Sequence, residues 1–227
     1  MILTRKLIVE QPFFDVESEI VQEGMNSEKK LYFKGQYLML NQMNKNGRVY
    51  EEDEMLPAIQ TFNENYIQKH RAGGELNHSA EPEIKLERLA HKIIDLKRDY
   101  SNPNFFIGKS EVLTSNPSGK ILEGLIKHNM KFGLSSKCLG QIEESSGIKL
   151  VKNPIILSVD AVYEPSANTV FVDGILESKE YIIGNDGKVA EAFEKFEKKL
   201  SKYPSKHRNE INNYILENFK QLLNNIK

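Results

Sequence analysis

The sequence predicts an α+β fold. Three observations point to it. Short runs rich in β-branched and aromatic residues recur between residues 31 and 162, two amphipathic helical stretches interrupt them, and a charged tract of helical period follows a polar break near Ile183. A chain of 227 residues is long enough to bury one substantial core.

The elements follow in order. "LYFKGQYLMLNQM" (31–43) has the composition of a strand or strand pair, and "NKNG" (44–47) closes it as a tight turn, because Asn and Gly tolerate positive φ. From Glu51 the period becomes helical: Met55, Ile59, Phe62 and Tyr66 form a stripe, acidic residues fill the first turn, and Pro57 sits near the start. "RAGGELNHSAEPE" (71–83) reads as a polar loop. "LAHKIIDLK" (89–97) and "FFIGKSEVL" (105–113) read as strands joined by the turn-rich "RDYSNPN". "SGKILEGLIKHNMKFG" (118–133) is a helix with Ile121, Leu122, Leu125 and Ile126 on one stripe and Gly133 as its C-terminal cap. A strand through "LSSKCLG" leads to a hairpin turn at "EESSG" (143–147), with strands expected near 148–151 and 155–162. Beyond the linker-like "GNDGK" come two charged amphipathic helices. Val189, Phe193, Phe196 and Leu200 line the first; Ile211, Ile215, Phe219, Leu222 and Ile226 line the second. The domain reading is therefore a body over 1–180 and a helical extension over 181–227.

Charge and cysteine content exclude several classes. Lysine plus arginine (31) nearly cancels aspartate plus glutamate (32), so no net basic field recruits nucleic acid or a membrane surface. One cysteine rules out an internal disulfide framework and a multi-cysteine zinc site, and no metal or cofactor is expected. "MILTRKLIVEQPFF" has no long apolar run, so neither a signal peptide nor a membrane span is expected, and a soluble intracellular protein is the reading.

The chemistry centres on "FGLSSKCLGQ" (132–141), where Ser135 and Ser136 stand side by side in a strand-like stretch. A serine pair is ordinarily turn chemistry or a solvated face; a nucleophilic serine needs a base, most often histidine. Of the five histidines, His70 ends a helix beside basic residues, His91 falls within a strand, and His128 and His207 lie on charged helices. His78 differs: it sits in the loop "GGELNHSA" near a possible orienting carboxylate, Glu75. Cys138 is a second nucleophile candidate, although lone cysteines are more often buried apolar residues. In an extended strand Cys138 and Ser135 point to opposite faces. No G-x-S-x-G, H-E-x-x-H, P-loop or G-x-G-x-x-G motif is present.

Four segments, "NKNGRVY" (44–50), "GGELNH" (73–78), "FGLSSKCLG" (132–140) and "LSVDAVYEPSA" (157–167), resemble in order and spacing the prohead core proteases of T-even-type tailed phages, relatives of the herpesvirus assembly proteases. The resemblance covers roughly residues 30 to 170. It implies an assemblin-like β-barrel surrounded by helices, and a serine endopeptidase acting inside the immature capsid, in the host cytoplasm. Its substrates would be scaffold or core proteins and the major capsid protein; a homo-oligomer is left open. His78 falls on the family's catalytic histidine and Ser135 on its nucleophile. Asp160 is the favoured third member, with Glu75 as runner-up. Ser136, Lys137 and Arg48 are assigned to the oxyanion and substrate-binding region. Lys137 and Cys138 stand where the T-even pattern has Arg and Gly, and Ser79 replaces a proline. The family cuts after glutamate with Leu or Ile two residues before it, which marks Glu10, Glu177 and Glu217 as self-cleavage sites. Ile121-Leu122-Glu123 also fits but lies in a helix. Residues 1 to about 25 then read as a removable arm and 181–227 as a propeptide or scaffold-interaction segment. The alternative is a catalytically silent capsid-core component with the same fold.

Overall fold

A computed structural model describes residues 4–10, 16–22, 29–145, 147–163, 180–183 and 189–192. In chain order its strands are β1 (Thr4–Val9), β2 (Val16–Gln22), β3 (Lys29–Met39), β4 (Arg48–Val49), β5 (Gly73–Glu75), β6 (Leu89–Arg98), β7 (Phe105–Val112), β8 (Gly133–Ser145), β9 (Ile148–Val162), β10 (Glu180–Ile183) and β11 (Val189–Ala192). The helices are α1 (Glu52–Phe62) and α2 (Pro117–Lys127). One sheet has the order β11-β10-β1-β8-β9-β4, the other β2-β3-β7-β6-β5. Among the described strand pairings all are antiparallel except β4 with β9, and the isolated Leu76–Ala161 bridge is parallel as well.

The main core joins the two sheets: Ile8, Cys138, Val151 and Val159 from the first meet Phe33, Tyr37, Ile93 and Phe106 from the second. Phe33 and Phe132 make an edge-on pair with centroids 5.5 Å apart, a geometry the ring quadrupole favours. Helix α1 buries Met55, Ile59 and Phe62, the expected stripe, and continues into a π-helical turn, Asn63–Ile67, that turns Ile67 inward. Residues 133–140 of β8 are all buried, because β1 and β9 cover both edges of the strand. The hairpin at residues 143–147 is present: Ser145 pairs with Ile148, and Gly147 takes φ +79°, a conformation that favours glycine.

Several expectations are corrected. No closed barrel forms among the described residues; the two sheets are joined by one isolated bridge, Leu76 to Ala161. Strand β5 spans three residues, and Asn77 then leaves the extended region, so the ladder to β9 stops there. The strands expected at 148–151 and 155–162 are one long β9, irregular where Asn153 adopts φ +48° before Pro154. Helix α2 ends at Lys127; Asn129, at φ +53°, turns the chain, and Gly133 already belongs to β8. Of its stripe only Leu122 is fully buried, and Ile121 is exposed.

The termini also differ from the sequence reading. The expected removable arm contains β1, which lies inside the first sheet with Leu7 and Ile8 completely buried. The helical extension expected from 181 begins instead with strands: β10 pairs with β1, and β11 pairs with β10 through Ile183 and Val189. Val189 is therefore in a strand. The outer edge of β1 offers a ladder, and Asp-Gly in "GNDGK" suits a hairpin as well as a linker. Residues 193–227 and Glu177 lie outside the described residues.

Candidate active site

Strands β8 and β9 lay the foundation. Ser135 and Asp160 are direct partners in their ladder, so both side chains project from one face, at the separation of opposed strand residues. Both are completely buried. His78 reaches this face from the loop after β5. Leu76 donates its N–H to the Arg88 carbonyl and Asn77 to the Ala161 carbonyl, and Asn77 adopts φ +58°, which asparagine tolerates better than most residues. That turn aims the imidazole between its two partners. His78 Nδ1 lies 2.6 Å from Asp160 Oδ2, and Nε2 lies 2.8 Å from Ser135 Oγ.

Asp160 is held as an acceptor. Its Oδ1 takes the Glu75 N–H at 2.9 Å. Burial opposes its ionisation, but the hydrogen bond and charge of His78, the charge of Lys137 and the Glu75 N–H together outweigh it, and the carboxyl lies below its ordinary value. An ionised Asp160 requires Nδ1–H on His78, which leaves Nε2 as the acceptor for the Ser135 proton. The arrangement is that of an acid–base–nucleophile relay.

Glu75, the runner-up for the third position, has another task. Its carboxylate accepts from Lys137 Nζ at 2.8 Å, Ser79 Oγ at 2.8 Å, Ser79 N at 3.1 Å and Lys85 N at 2.7 Å. The loop carrying His78 is thus wrapped around a buried carboxylate. Lys137 was expected among the oxyanion and substrate-binding residues; it is completely buried and tied to Glu75 and Ser79. Alternation in β8 explains this, because residues 135 and 137 share a face and residue 137 lies beneath the same loop. Gly74 lets β5 come this close: a Cβ there would stand 2.1 Å from the His91 ring and 2.4 Å from the Val159 carbonyl.

A second constellation faces the Ser135 hydroxyl. Ser135 Oγ donates to the main-chain carbonyl of Glu10, so its single proton is shared between that carbonyl and His78 Nε2. Glu10 N–H donates to the Ser136 carbonyl at 3.1 Å, continuing the β1–β8 ladder. Ser136 therefore meets this strand through its main-chain carbonyl. The Glu10 side chain is buried in a pocket built by the 44–50 segment. Asn44 Nδ2 (2.5 Å), Asn46 Nδ2 (2.9 Å) and Arg48 Nη1 (3.2 Å) donate to Oε2, and the Tyr50 hydroxyl donates to Oε1. Burial pushes the Glu10 carboxyl above its ordinary value, against the charge of Arg48 and the hydrogen bonds from Tyr50 and Asn46. Arg48 thus stands on the carboxylate of Glu10. Asn44, Asn46 and Tyr50 were not singled out from sequence; the available signal was Arg48 and Tyr50 two apart in an extended segment, hence on one face.

The remaining candidates are elsewhere. Cys138 is buried on the opposite face of β8 from Ser135, and burial first, then the charge of Glu10, pushes its thiol far up, so no thiolate forms. His70 sits at the end of the π-helical turn with φ +57°, and His128 caps α2. His91 is buried against Phe33 and bonds Ser110 Oγ at 3.0 Å.

Comparison with known proteins shows the family. The model of the family described as prohead core protein serine protease matches residues 4–180. The chain belongs to that family. Among the family's curated proteins, the prohead core protein protease of Enterobacteria phage T4 is 26% identical over 146 residues, covering 63% of this chain and 68% of the T4 protein. The solved structure of the bacteriophage T4 capsid assembly protease, gp21, superposes with a TM-score of 0.63 at 23% identity, covering 71% of this chain and 99% of that one. The family's fold is thus shared well beyond the four sequence segments.

Proposed function

We propose that this family member is a serine endopeptidase of capsid maturation that cuts scaffold, core and capsid proteins after glutamate inside the prohead, and cuts itself. One observation carries the reading: Asp160, His78 and Ser135 are aligned by hydrogen bonds, and the carbonyl they face belongs to a glutamate whose carboxylate fills a donor-lined pocket. The names of the T4 relatives supply the setting.

The chemistry runs through these atoms. Ser135 Oγ attacks the carbonyl carbon while His78 Nε2 takes its proton, and Asp160 stabilises the imidazolium that forms. The tetrahedral intermediate collapses as His78 protonates the leaving amine, and the peptide bond breaks. Water, activated by His78, then hydrolyses the Ser135 ester. Arg48 selects glutamate at the cut, because an uncompensated buried carboxylate is costly. Glu10, whose carbonyl oxygen accepts from Ser135 Oγ, is one self-cleavage site on this reading; Glu177 and Glu217 are further sites by the same sequence rule.

Intact-mass measurement of the full chain, with a reporter peptide containing Ile-Val-Glu added, tests the proposal. The wild type should yield fragments ending in glutamate. Ser135→Ala and His78→Ala should each abolish them, with the double variant little worse, whereas Ser136→Ala and Cys138→Ala keep cleaving. Cleavage that survives in Ser135→Ala overturns the nucleophile assignment, and a wild type that cleaves nothing favours a silent core component.

A further inference from the structure

We infer that Arg88 is a positioning residue: its guanidinium fixes the two peptide units that flank Asn77, and through them the direction in which His78 leaves the main chain. The inference rests on the serine-protease reading above. It goes further by assigning a residue outside the relay that acts on the base.

The chain leaves β5 through Leu76 and Asn77. In an extended strand successive carbonyls point to opposite edges, so one donor cannot serve two of them. Asn77 breaks that alternation. Its φ of +58° lies in the left-handed region, and the carbonyls on either side of it converge. Arg88 Nη2 donates to the Leu76 carbonyl at 3.0 Å and to the Asn77 carbonyl at 3.2 Å. The first belongs to the peptide unit that enters Asn77, the second to the unit whose nitrogen is that of His78. One nitrogen therefore holds both planes. Asn77 is exposed, so hydrogen bonds rather than packing must keep it in a conformation that non-glycine residues rarely adopt.

The clamp is reciprocal. Leu76 N–H donates to the carbonyl of Arg88 at 2.8 Å, so the two ends of the 76–88 loop are tied in both directions. Arg88 closes the 3-10 turn Leu86–Arg88 and leads directly into β6, which anchors its main chain to the second sheet. Among the described residues no carboxylate pairs with Arg88, and its buried Nε has no hydrogen-bond partner, so the two carbonyls are what orient the head group. This hold is separate from the buried Glu75–Lys137 pair, which grips Ser79, the residue after His78. His78 is thus fixed from both sides in sequence. The relay needs that precision, because Nδ1 must stay 2.6 Å from Asp160 Oδ2 while Nε2 stays 2.8 Å from Ser135 Oγ.

The test compares the full wild-type chain with Arg88→Met, which keeps the aliphatic stem and removes the donors, and with Arg88→Lys, whose ammonium lacks the planar fork. On the reporter peptide, Arg88→Met should lower kcat by about tenfold to a hundredfold and leave KM within about twofold, because the base is displaced while the peptide still binds. Arg88→Lys should recover about half of that loss on a logarithmic scale. A second readout needs no turnover. The His78 Nδ1–H proton, held against Asp160, gives a far-downfield NMR resonance that is identified by its absence from His78→Gln. It should be sharp in wild type, weakened in Arg88→Lys and lost in Arg88→Met. If Arg88→Met fails to fold, Arg88→Lys decides: a lowered kcat with a weakened resonance supports the inference, and wild-type values overturn it. A kcat within about threefold of wild type in Arg88→Met, or a kcat lost while the resonance stays sharp, also overturns it. A wild type that cleaves nothing overturns the serine-protease reading instead, and the resonance alone then decides the role of Arg88.

Discussion

Lys137→Met removes one half of a buried ion pair whose partners are both completely shielded from solvent and 2.8 Å apart. The methionine fills most of the volume, so the cost is electrostatic: Glu75 is left with an uncompensated charge. Breaking such a pair from one side costs about 3–5 kcal/mol. Three hydrogen bonds to Glu75 remain, from Ser79 N, Ser79 Oγ and Lys85 N, which places the expectation near the lower end, about 3 kcal/mol. That is a large share of the roughly 5–15 kcal/mol that holds an ordinary domain together. Lys137→Met with Glu75→Gln removes the charge as well as its partner and should recover about half of the loss. Urea denaturation measures both. Because the same loop carries His78 and donates Glu75 N–H to Asp160, Lys137→Met should lower kcat on a glutamate peptide more than it raises KM. A loss below about 1 kcal/mol, or a double variant no more stable than the single one, refutes the buried-pair reasoning.

Asp160→Asn should lower kcat by about 10³–10⁴ without unfolding the protein. The Glu75 N–H requires an oxygen at one side of the side chain, so the amide NH₂ faces His78 and forces the tautomer that cannot accept the serine proton; activity within tenfold of wild type contradicts this. His91 makes stability fall on the acid side. Burial, partly offset by Asp160, lowers its pKa from 6.5 to about 4, so below pH 6.5 the unfolded chain takes up a proton that the fold refuses. Its contribution, roughly 3 kcal/mol, is complete above pH 6.5 and lost as pH falls through about 4. Asp160 has the same sign in a lower window, its contribution being lost as pH falls below 3.8. Glu10, raised from 4.5, has the opposite sign, its contribution being lost as pH rises. The difference between wild type and His91→Gln in pH-dependent thermal denaturation isolates the histidine, and parallel curves would refute the assignment.

The local elements and the candidate catalytic residues are legible in the sequence. Periodicity marked α1, apolar alternation marked β6 and β7, and a glycine-closed turn marked the β8–β9 hairpin, because these are short-range consequences of backbone sterics and side-chain spacing. Alternation also separates Ser135 from Cys138, and the resemblance of the four segments points to His78 and Ser135, with Asp160 favoured over Glu75 as the third member. Tertiary structure decided the rest. Which carboxylate faces His78 depends on strand register: Asp160 lies opposite Ser135 in the ladder, and Glu75 turns away to Lys137. Strand β1 carries too short an apolar run to be told from an arm, and its place between β8 and β10 follows from pairing with residues more than a hundred positions away. Val189 is drawn into a strand despite its helical spacing by a local hairpin with β10, a strand that pairs in turn with the distant β1. The glutamate pocket was hidden for a related reason. Asn44, Asn46 and Tyr50 read as ordinary neighbours of Arg48 until the fold brings the carboxylate of Glu10 into their midst.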